Sequence, residues 1–245
     1  MKLSFFPFSL LLVLFLTYST PYAQDKDNLL QWFDTQVGLE NSRLLNGTAY
    51  VDRHRTINSK NKLFGNSTGS GSVLYDGQWF PGLQMRYNIF DDMLIVQLDT
   101  QKGMKIVQLV REKVERFTLN DSKFINILNE DSQARVKGIH EILLEQPPFL
   151  LLKKHALGIL EKRDKQVSYF EFEPIEGYYA LGYNNKIYPV ESRSDLEKIF
   201  PQYKDEIQSY YRTNQSLRRS RPDNFYINLF RELIRLEEIR NLSSQ

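Results

Sequence analysis

Short segments of alternating apolar and polar residues, separated by tight-turn residues, fill the middle of the chain from Ser72 to Val190. Residues 83 to 89 alternate strictly, which is the period of a strand with one buried face. Asp76-Gly77 is the strongest short hairpin signal in the chain. Further turn signals stand between the later segments: Asp91-Asp92, Lys102-Gly103, Asn120-Asp121, Pro147-Pro148 and Asn184-Asn185. Connections this short exclude parallel crossovers, so the pattern predicts an antiparallel β-meander.

Helical spacing of apolar residues marks both ends of the chain. Residues 25 to 37 predict a short amphipathic helix. Near the C-terminus, Ser194 and Glu197 form a capping-box pattern, and Ser220-Arg221-Pro222 precedes the final helix. Four apolar residues of that helix form one stripe: Phe225, Leu229, Leu233 and Leu236. We expect the stripe to pack on the sheet, with docking of a partner as the alternative.

These elements define an α+β fold with one central sheet. We predict a curled, half-barrel-like antiparallel sheet over residues 46–190, closed by the short N-terminal helix and the C-terminal helices. An N-terminal helical segment covers residues 24–45, and a C-terminal helical segment covers residues 191–245. Residues 59–72, rich in glycine and serine, are expected to form a mobile loop.

The first 23 residues have the layout of a secretory signal peptide. Lys2 precedes an apolar run over residues 3–16, and small and polar residues follow up to Ala23. The run is shorter than the ~20 residues that a membrane-spanning helix needs. We therefore predict cleavage before Gln24 and export to the periplasm or the outer-membrane periphery. No later segment is apolar enough to predict a transmembrane span in the mature chain.

Composition narrows the chemistry. The chain of 245 residues contains no cysteine, which excludes disulfides, thiolate metal sites and a cysteine nucleophile. With 41% hydrophobic and 13% aromatic residues, it can form a sizeable core. Loss of Lys2 with the signal peptide lowers the lysine and arginine count from 32 to 31, against 30 acidic residues. This balance does not favour nucleic acid as a partner.

Neither the histidines nor the paired carboxylates match a catalytic or metal-binding pattern. His54, His140 and His155 lack the spacing of metal ligands, so we predict no metal site and no cofactor. Asp91-Asp92 fits a turn, and Glu171 with Glu173 fits the outward face of a strand. A functional carboxylate pair remains the alternative for each of these two sites.

Aromatic residues and one basic run are the remaining binding candidates. Trp79, Phe80 and Tyr87 are the predicted binding residues, because aromatic side chains can line a carbohydrate or lipid site. Tyr178-Tyr179 is a further candidate of the same kind, and core packing is the alternative for all five. The basic run over residues 218–221 predicts either an anion contact near a helix start or a solvated loop.

Several segments resemble a known family. They are Asn46-Gly47 with Tyr50, Gly71 to Phe80, and Met85 to Val96, together with the helical end around Leu196 to Tyr211. These segments are similar to a family of uncharacterised exported envelope proteins of the Bacteroidota, and the likeness covers most of the mature chain. The motifs consist of turn and strand residues. The resemblance therefore implies an envelope location and names no activity.

Three classes of function remain open. The leading hypothesis is a non-enzymatic binding or assembly protein that contacts another envelope protein through its sheet face or its terminal helices. The alternative is a half-barrel that shelters an apolar or sugar ligand. The third is a hydrolase whose carboxylate pair the sequence does not reveal.

Overall fold

A computed structural model describes residues 42–128, 136–164 and 167–243. These residues form an open, eleven-stranded antiparallel sheet, followed by helices at the C-terminal end of the chain. The strands are β1 (Thr48–Ala49), β2 (Gly69–Tyr75), β3 (Gln78–Asn88), β4 (Met93–Thr100), β5 (Gly103–Gln108), β6 (Val114–Leu119), β7 (Ser122–Ile127), β8 (Gly138–Gln146), β9 (Phe149–Asp164), β10 (Val167–Tyr183) and β11 (Lys186–Val190). The helices are α1 (Arg193–Ile199), α2 (Lys204–Thr213), α3 (Gln215–Ser220) and α4 (Pro222–Ser243). The predicted signal peptide over 1–23 and the predicted helix over 25–37 lie outside these residues.

The sheet consists of two meanders joined side by side. Its strand order is β1-β5-β4-β3-β2-β6-β7-β8-β9-β10-β11. A single meander, as the turn signals predict, would place β6 beside β5. Instead β6 pairs with β2, which sets Phe117 opposite Val73 in a buried row. The α+β class and the antiparallel sheet are therefore as predicted, and the strand order is a correction.

Two tight turns adopt the backbone conformation that their sequences predict. Asp76 and Gly77 have φ angles of 52° and 75°, and Tyr75 pairs with Gln78 across the turn. Asn184 and Asn185 have φ angles of 50° and 59° between β10 and β11. Positive φ at both central residues matches the twist of the flanking strands, so both hairpin predictions are confirmed.

The two longest strands are β9 and β10, and the sequence pattern predicts only parts of them. The pattern predicts three short strands here, over 149–152, 167–172 and 178–183. All three belong to one hairpin with strands of 16 and 17 residues. Residues 161–164 of β9 are all charged, so the last part of this strand lacks the apolar–polar alternation that predicts a strand. A bulge between Ile175 and Tyr178 interrupts the alternation in β10. The segment expected to form a mobile loop, 59–72, instead bonds to its neighbours: β2 already begins at Gly69, and the Lys60 and Lys62 carbonyls accept hydrogen bonds from the Phe172 and Ile89 amides.

The sheet curls until strands that are not neighbours touch. The turn between β3 and β4 reaches β8, where the Asp92 carboxylate accepts hydrogen bonds from the Tyr87 hydroxyl at 2.9 Å and from the Ile139 amide at 3.3 Å. Large aromatic side chains fill the space inside the curl: Tyr75, Phe80, Tyr87, Phe117 and Phe124. Within the described residues, the interior of the curl is therefore a packed core rather than a ligand cavity.

The C-terminal helices cover the face of the second meander. Phe225, Leu229 and Leu233 of α4 are buried in one cluster with Leu151 and Leu181 of the sheet. The cap of α1 differs from the prediction. Ser192, and not Ser194, accepts a bond from the Asp195 amide, while Asp195 accepts one from the Ser192 amide. Both serines fit the pattern, but β11 ends at Val190 and leaves Ser192 at the N-cap, directly before the first helical residue Arg193.

Candidate functional site

Beyond the rest of the sheet, β9 and β10 continue as a two-stranded arm. Strand β8 pairs with β9 only as far as Lys153, and β11 pairs with β10 only from Tyr179 onward. Residues 156–164 and 167–175 then pair with each other alone. We call this ribbon the arm. An isolated hairpin is marginally stable in water, so the arm requires support from elsewhere in the chain.

The segment over 50–62 supplies that support along the outer edge of β10. The Phe170 amide donates to the Arg55 carbonyl at 2.8 Å, and the Phe172 amide donates to the Lys60 carbonyl at 2.9 Å. The His54 ring packs edge-on against both phenylalanines. Hydrogen bonds and aromatic contacts therefore hold β10 against the body of the protein.

Glu171 and Glu173, one of the two carboxylate pairs considered above, also bind this segment. Lys60 Nζ lies 2.7 Å from Glu173 Oε1 and 3.3 Å from Glu171 Oε2. Asn58 donates to Glu171 at 2.8 Å. The hydrogen bond from Asn58, followed by the bond from Lys60, lowers the pKa of Glu171 below its usual value. The structure therefore places this pair in the anchor of the arm.

The outer edge of β9 has no such cover. Within the described residues, no strand and no backbone hydrogen bond from another segment meets β9 beyond Lys153 on the side away from β10. Ile159 and Leu160 lie on opposite faces of this edge strand, 37% and 44% exposed. Two further exposed apolar residues stand on β10, Val167 and Ile175. An exposed, extended edge with apolar side chains is a template for pairing with another chain.

The other carboxylate pair lies at the turn between β3 and β4. Asp92 Oδ1 is 2.6 Å from Lys154 Nζ, and Asp91 Oδ2 accepts a hydrogen bond from Asn88 Nδ2 at 2.7 Å. Burial lowers the pKa of Lys154 below its usual value, although Asp92 favours the charged form. This buried ion pair connects the turn to β9, so Asp92 helps to hold the curl of the sheet together, whereas the Asp91–Asn88 bond lies within the turn itself.

His140 lies beside that ion pair, and only one of its two ring nitrogens has a hydrogen-bond partner within the described residues. His140 is fully buried, and its Nδ1 lies 2.9 Å from the Gly138 carbonyl. Its Nε2 has no hydrogen-bond partner within the part of the chain that the structure describes. Burial lowers the pKa of His140 to about 4, and Lys154 adds to this effect. His140 is therefore neutral at physiological pH.

A serine, a glutamate and a histidine meet on the opposite face of β8, but in the wrong order for a catalytic triad. Ser122 Oγ donates to Glu141 Oε1 at 2.8 Å, and His155 Nε2 lies 2.6 Å from Glu141 Oε2. Burial tends to raise the pKa of Glu141, but the bonds from His155 and Ser122 hold it below its usual value. Nucleophilic catalysis needs the histidine beside the serine, where it can accept the proton. Here the glutamate stands between them.

The three predicted binding residues do not share a surface. Phe80 and Tyr87 are 1% and 0% exposed in the core. Trp79 is 39% exposed and points to the other face of β3, as the neighbour of Phe80 must. Tyr178 and Tyr179, by contrast, line a cleft of about 870 Å³ together with Arg218 and Arg219. The structure thus brings the second aromatic candidate and the basic run to one place.

The sequence contains one signal for the arm. Ile159 and Leu160 are consecutive apolar residues between Gly158 and Glu161. Consecutive residues of a strand point to opposite faces, so a strand with one buried face would expose one of them. The pairing partners of β9 determine that both are exposed, and partners cannot be deduced from this segment alone.

Comparisons of the chain with models of protein families, with curated proteins and with solved structures find no significant match. Among the described residues, no group of three or more histidine, aspartate or glutamate side chains is placed to hold a metal ion. The same part of the chain contains no helix with the length and apolarity to cross a membrane.

Proposed function

We propose that the chain is a non-enzymatic binding protein of the bacterial envelope, and that it docks an extended segment of another envelope protein along the outer edge of β9. The observation that carries the proposal is the unpaired edge over 156–164 with its exposed Ile159 and Leu160. The signal-peptide pattern in residues 1–23 supports the compartment.

The chemistry of the edge fits an added strand. Unpaired amide and carbonyl groups of β9 would bond to the backbone of the incoming segment, which gives affinity without a particular sequence. Ile159 and Leu160 would each cover an apolar side chain of the partner on one face of the enlarged sheet, which adds selectivity. Because the segment over 50–62 holds β10, the arm is ordered before the partner binds, and this lowers the entropic cost of docking.

A second copy of the same chain fits the edge less well. A two-fold pairing of β9 with itself, centred on Leu160, would place Glu161 opposite Ile159 and Arg163 opposite Leu157. No charge would then face an opposite charge across the pair, whereas cross-strand ion pairs stabilise specific pairing. A partner of different sequence avoids this mismatch.

Site-specific photo-cross-linking in the producing cell tests the proposal. A photoreactive amino acid at position 160 should cross-link to one discrete envelope protein. The same group at Met104 of β5, which is 59% exposed, is the matched control and should not. Products confined to the chain itself, or to a second copy of it, would refute docking of a different protein.

Purified components then give the strength of the contact. Leu160→Lys should weaken the complex with the cross-linked protein at least about tenfold, because it buries an unpaired charge. Met104→Lys should leave the affinity unchanged. Equal melting temperatures of both variants would show that folding is intact. Equal affinity of the Leu160→Lys variant and the unmodified protein would contradict the assignment of this edge.

A further inference from the structure

A cleft opens where the sheet meets the C-terminal helices. One wall consists of β10 residues around the bulge, including Glu176 and Tyr178, and of Glu191 after β11. The other consists of Arg218 and Arg219 of α3. The volume of about 870 Å³ lies within the range of small-molecule sites, roughly 300–1,000 Å³.

The floor of this cleft is rigidly held. The Tyr179 and Tyr226 rings pack with their centroids 4.3 Å apart. The Tyr179 hydroxyl donates to Asp223 at 2.5 Å, and Lys153 Nζ donates to the same carboxylate at 2.7 Å. Burial, with the Asp223 bond, raises the pKa of Tyr179 far above its usual value, so its hydroxyl stays a donor. The first turn of α4 is thereby fixed to β9 and β10, and the cleft is already formed before any ligand binds.

The helical wall is strongly basic. Residues 212–221 contain four arginines and no acidic residue, in a chain whose net charge is only +2. Arg219 makes no hydrogen bond or ion pair within the described part of the chain. Arg218 lies over the Tyr211 ring, with its guanidinium carbon 5.4 Å from the ring centroid. A second groove of about 430 Å³, lined by Arg193 and Arg212, adjoins the first at Arg218.

The opposite wall determines which anion fits. Glu176 and Glu191 line this wall, and their carboxylate oxygens can accept hydrogen bonds from hydroxyl groups of a ligand. Guanidinium groups bind carboxylates and sulfates in a bidentate manner. A ligand with acidic groups on one side and hydroxyl groups on the other therefore complements both walls.

A membrane surface fits this region less well than a soluble ligand. Anionic membranes bind basic patches that carry exposed apolar side chains beside the charges. Among the described residues, the large, exposed apolar side chains nearest in sequence are Ile175 and Ile239, and neither lines the two grooves. The arginines also line concave grooves, which a flat bilayer cannot enter.

We propose that the cleft between β10 and α3 binds an acidic oligosaccharide, with its acidic groups on Arg218 and Arg219 and its hydroxyl groups on Glu176 and Glu191. This site is separate from the outer edge of β9 and does not depend on the docking proposed above.

Titration calorimetry with defined probes tests the assignment. Oligogalacturonate, with its carboxylates, and dextran sulfate fragments are the acidic probes. Neutral dextran oligomers, inorganic phosphate and vesicles with anionic lipid are the comparisons. We expect at least one acidic oligosaccharide to bind at least about tenfold more tightly than neutral dextran and phosphate, and high salt to weaken it. Equal binding of neutral dextran or phosphate, binding to vesicles alone, or no binding of either acidic probe would overturn the proposal.

A charge-matched pair of variants locates the site. Arg218→Gln/Arg219→Gln should lower the affinity for the acidic probe at least about tenfold. Lys204→Gln/Arg231→Gln removes the same number of positive charges from exposed helix positions outside the cleft. This control variant should lower the affinity for the acidic probe less than about twofold. All four side chains are exposed, so both variants should melt like the unmodified protein. Equal losses of affinity in the two variants would show unspecific attraction of charge and would refute the site.

Discussion

Gly77 is the residue whose backbone most directly specifies a turn. Its φ of 75° lies in the left-handed region, and a Cβ atom at this position would meet no atom within 4 Å. A substitution therefore changes backbone energy without creating a clash. Gly77→Val should lower the free energy of unfolding by about 1 kcal/mol or more, because β-branched residues disfavour positive φ. Urea unfolding measures the loss.

Gly77→Asn is the matched control, since asparagine tolerates positive φ. It should lose clearly less stability than Gly77→Val. Equal losses in the two variants would mean that the conformation of this turn contributes little to the stability of the fold.

His140 should make the protein less stable in acid. Its pKa in the folded chain is lowered to about 4, mainly by burial, beside the charges of Lys154, Asp92 and His155. In the unfolded chain a histidine titrates near 6.5. The unfolded chain therefore takes up a proton first, and stability falls as the pH decreases from about 6.5 towards about 4, by up to ~3 kcal/mol. Denaturant unfolding between pH 7 and pH 4.5 measures the slope.

A His140→Gln variant isolates this contribution. The lowered pKa values of Glu141 and Asp223 also reduce stability in acid, so a residual slope is expected. The curve of the variant should nevertheless be flatter than that of the unmodified protein over this range. Parallel curves would contradict the assignment of His140 as a buried neutral side chain.

Helix α4 is the element on which the second meander depends. Leu229 and Leu233 are each 1% exposed and pack in one cluster with Leu151 and Phe149 of β9. Truncation of a buried leucine to alanine costs ~2–5 kcal/mol, so the double variant Leu229→Ala/Leu233→Ala should lose much of the ~5–15 kcal/mol of a typical domain. Thermal unfolding of the isolated protein provides the measurement. An unshifted transition would instead assign the stripe to a partner.

Elements that depend on neighbouring residues could be predicted from the sequence, and those that depend on distant pairing could not. The Asp76-Gly77 turn and the apolar stripe of α4 are local patterns. The pairing of β2 with β6 depends on packing between segments about forty residues apart, which periodicity does not encode. The cap of α1 shows the limit even at short range, because Ser192 and Ser194 fit the same pattern and only the end of β11 decides between them.

The candidate sites follow the same rule. Tyr178-Tyr179 and the basic run at 218–221 are each recognisable in the sequence, but only the packing of α3 and α4 on β10 brings them to one cleft. The exposed edge of β9 has a weaker signal, since whether an apolar residue is exposed depends on which strands lie beside it. The buried positions of Phe80 and Tyr87 have the same cause, because the curl of the sheet encloses one face of β3.

At the scale of the whole molecule, strand β10 connects the two proposed sites, because it pairs with β9 in the arm and lines the cleft. Its first half forms the arm, and its second half forms a wall of the cleft. The bulge between Ile175 and Tyr178 separates them, and Glu176 and Gly177 lie within it. A bulge bends the strand and increases its twist locally. The arm can therefore take a different direction from the rest of β10 while Tyr179 stays packed against α4.

Both proposals require the protein to leave the cytoplasm, and this gives the last prediction. Lys2, the apolar run over 3–16 and the small residues up to Ala23 match the three-part pattern that predicts a cleavable signal. The mature protein in the producing cell should therefore begin near Gln24, which intact mass or N-terminal sequencing would establish. Leu11→Arg should block cleavage, because a charge in the apolar run prevents its insertion. Leu160→Arg introduces the same charge far from the signal and should be processed normally. A native mass that includes residues 1–23 would refute cleavage and, with it, release into the compartment where the proposed partner and ligand are found.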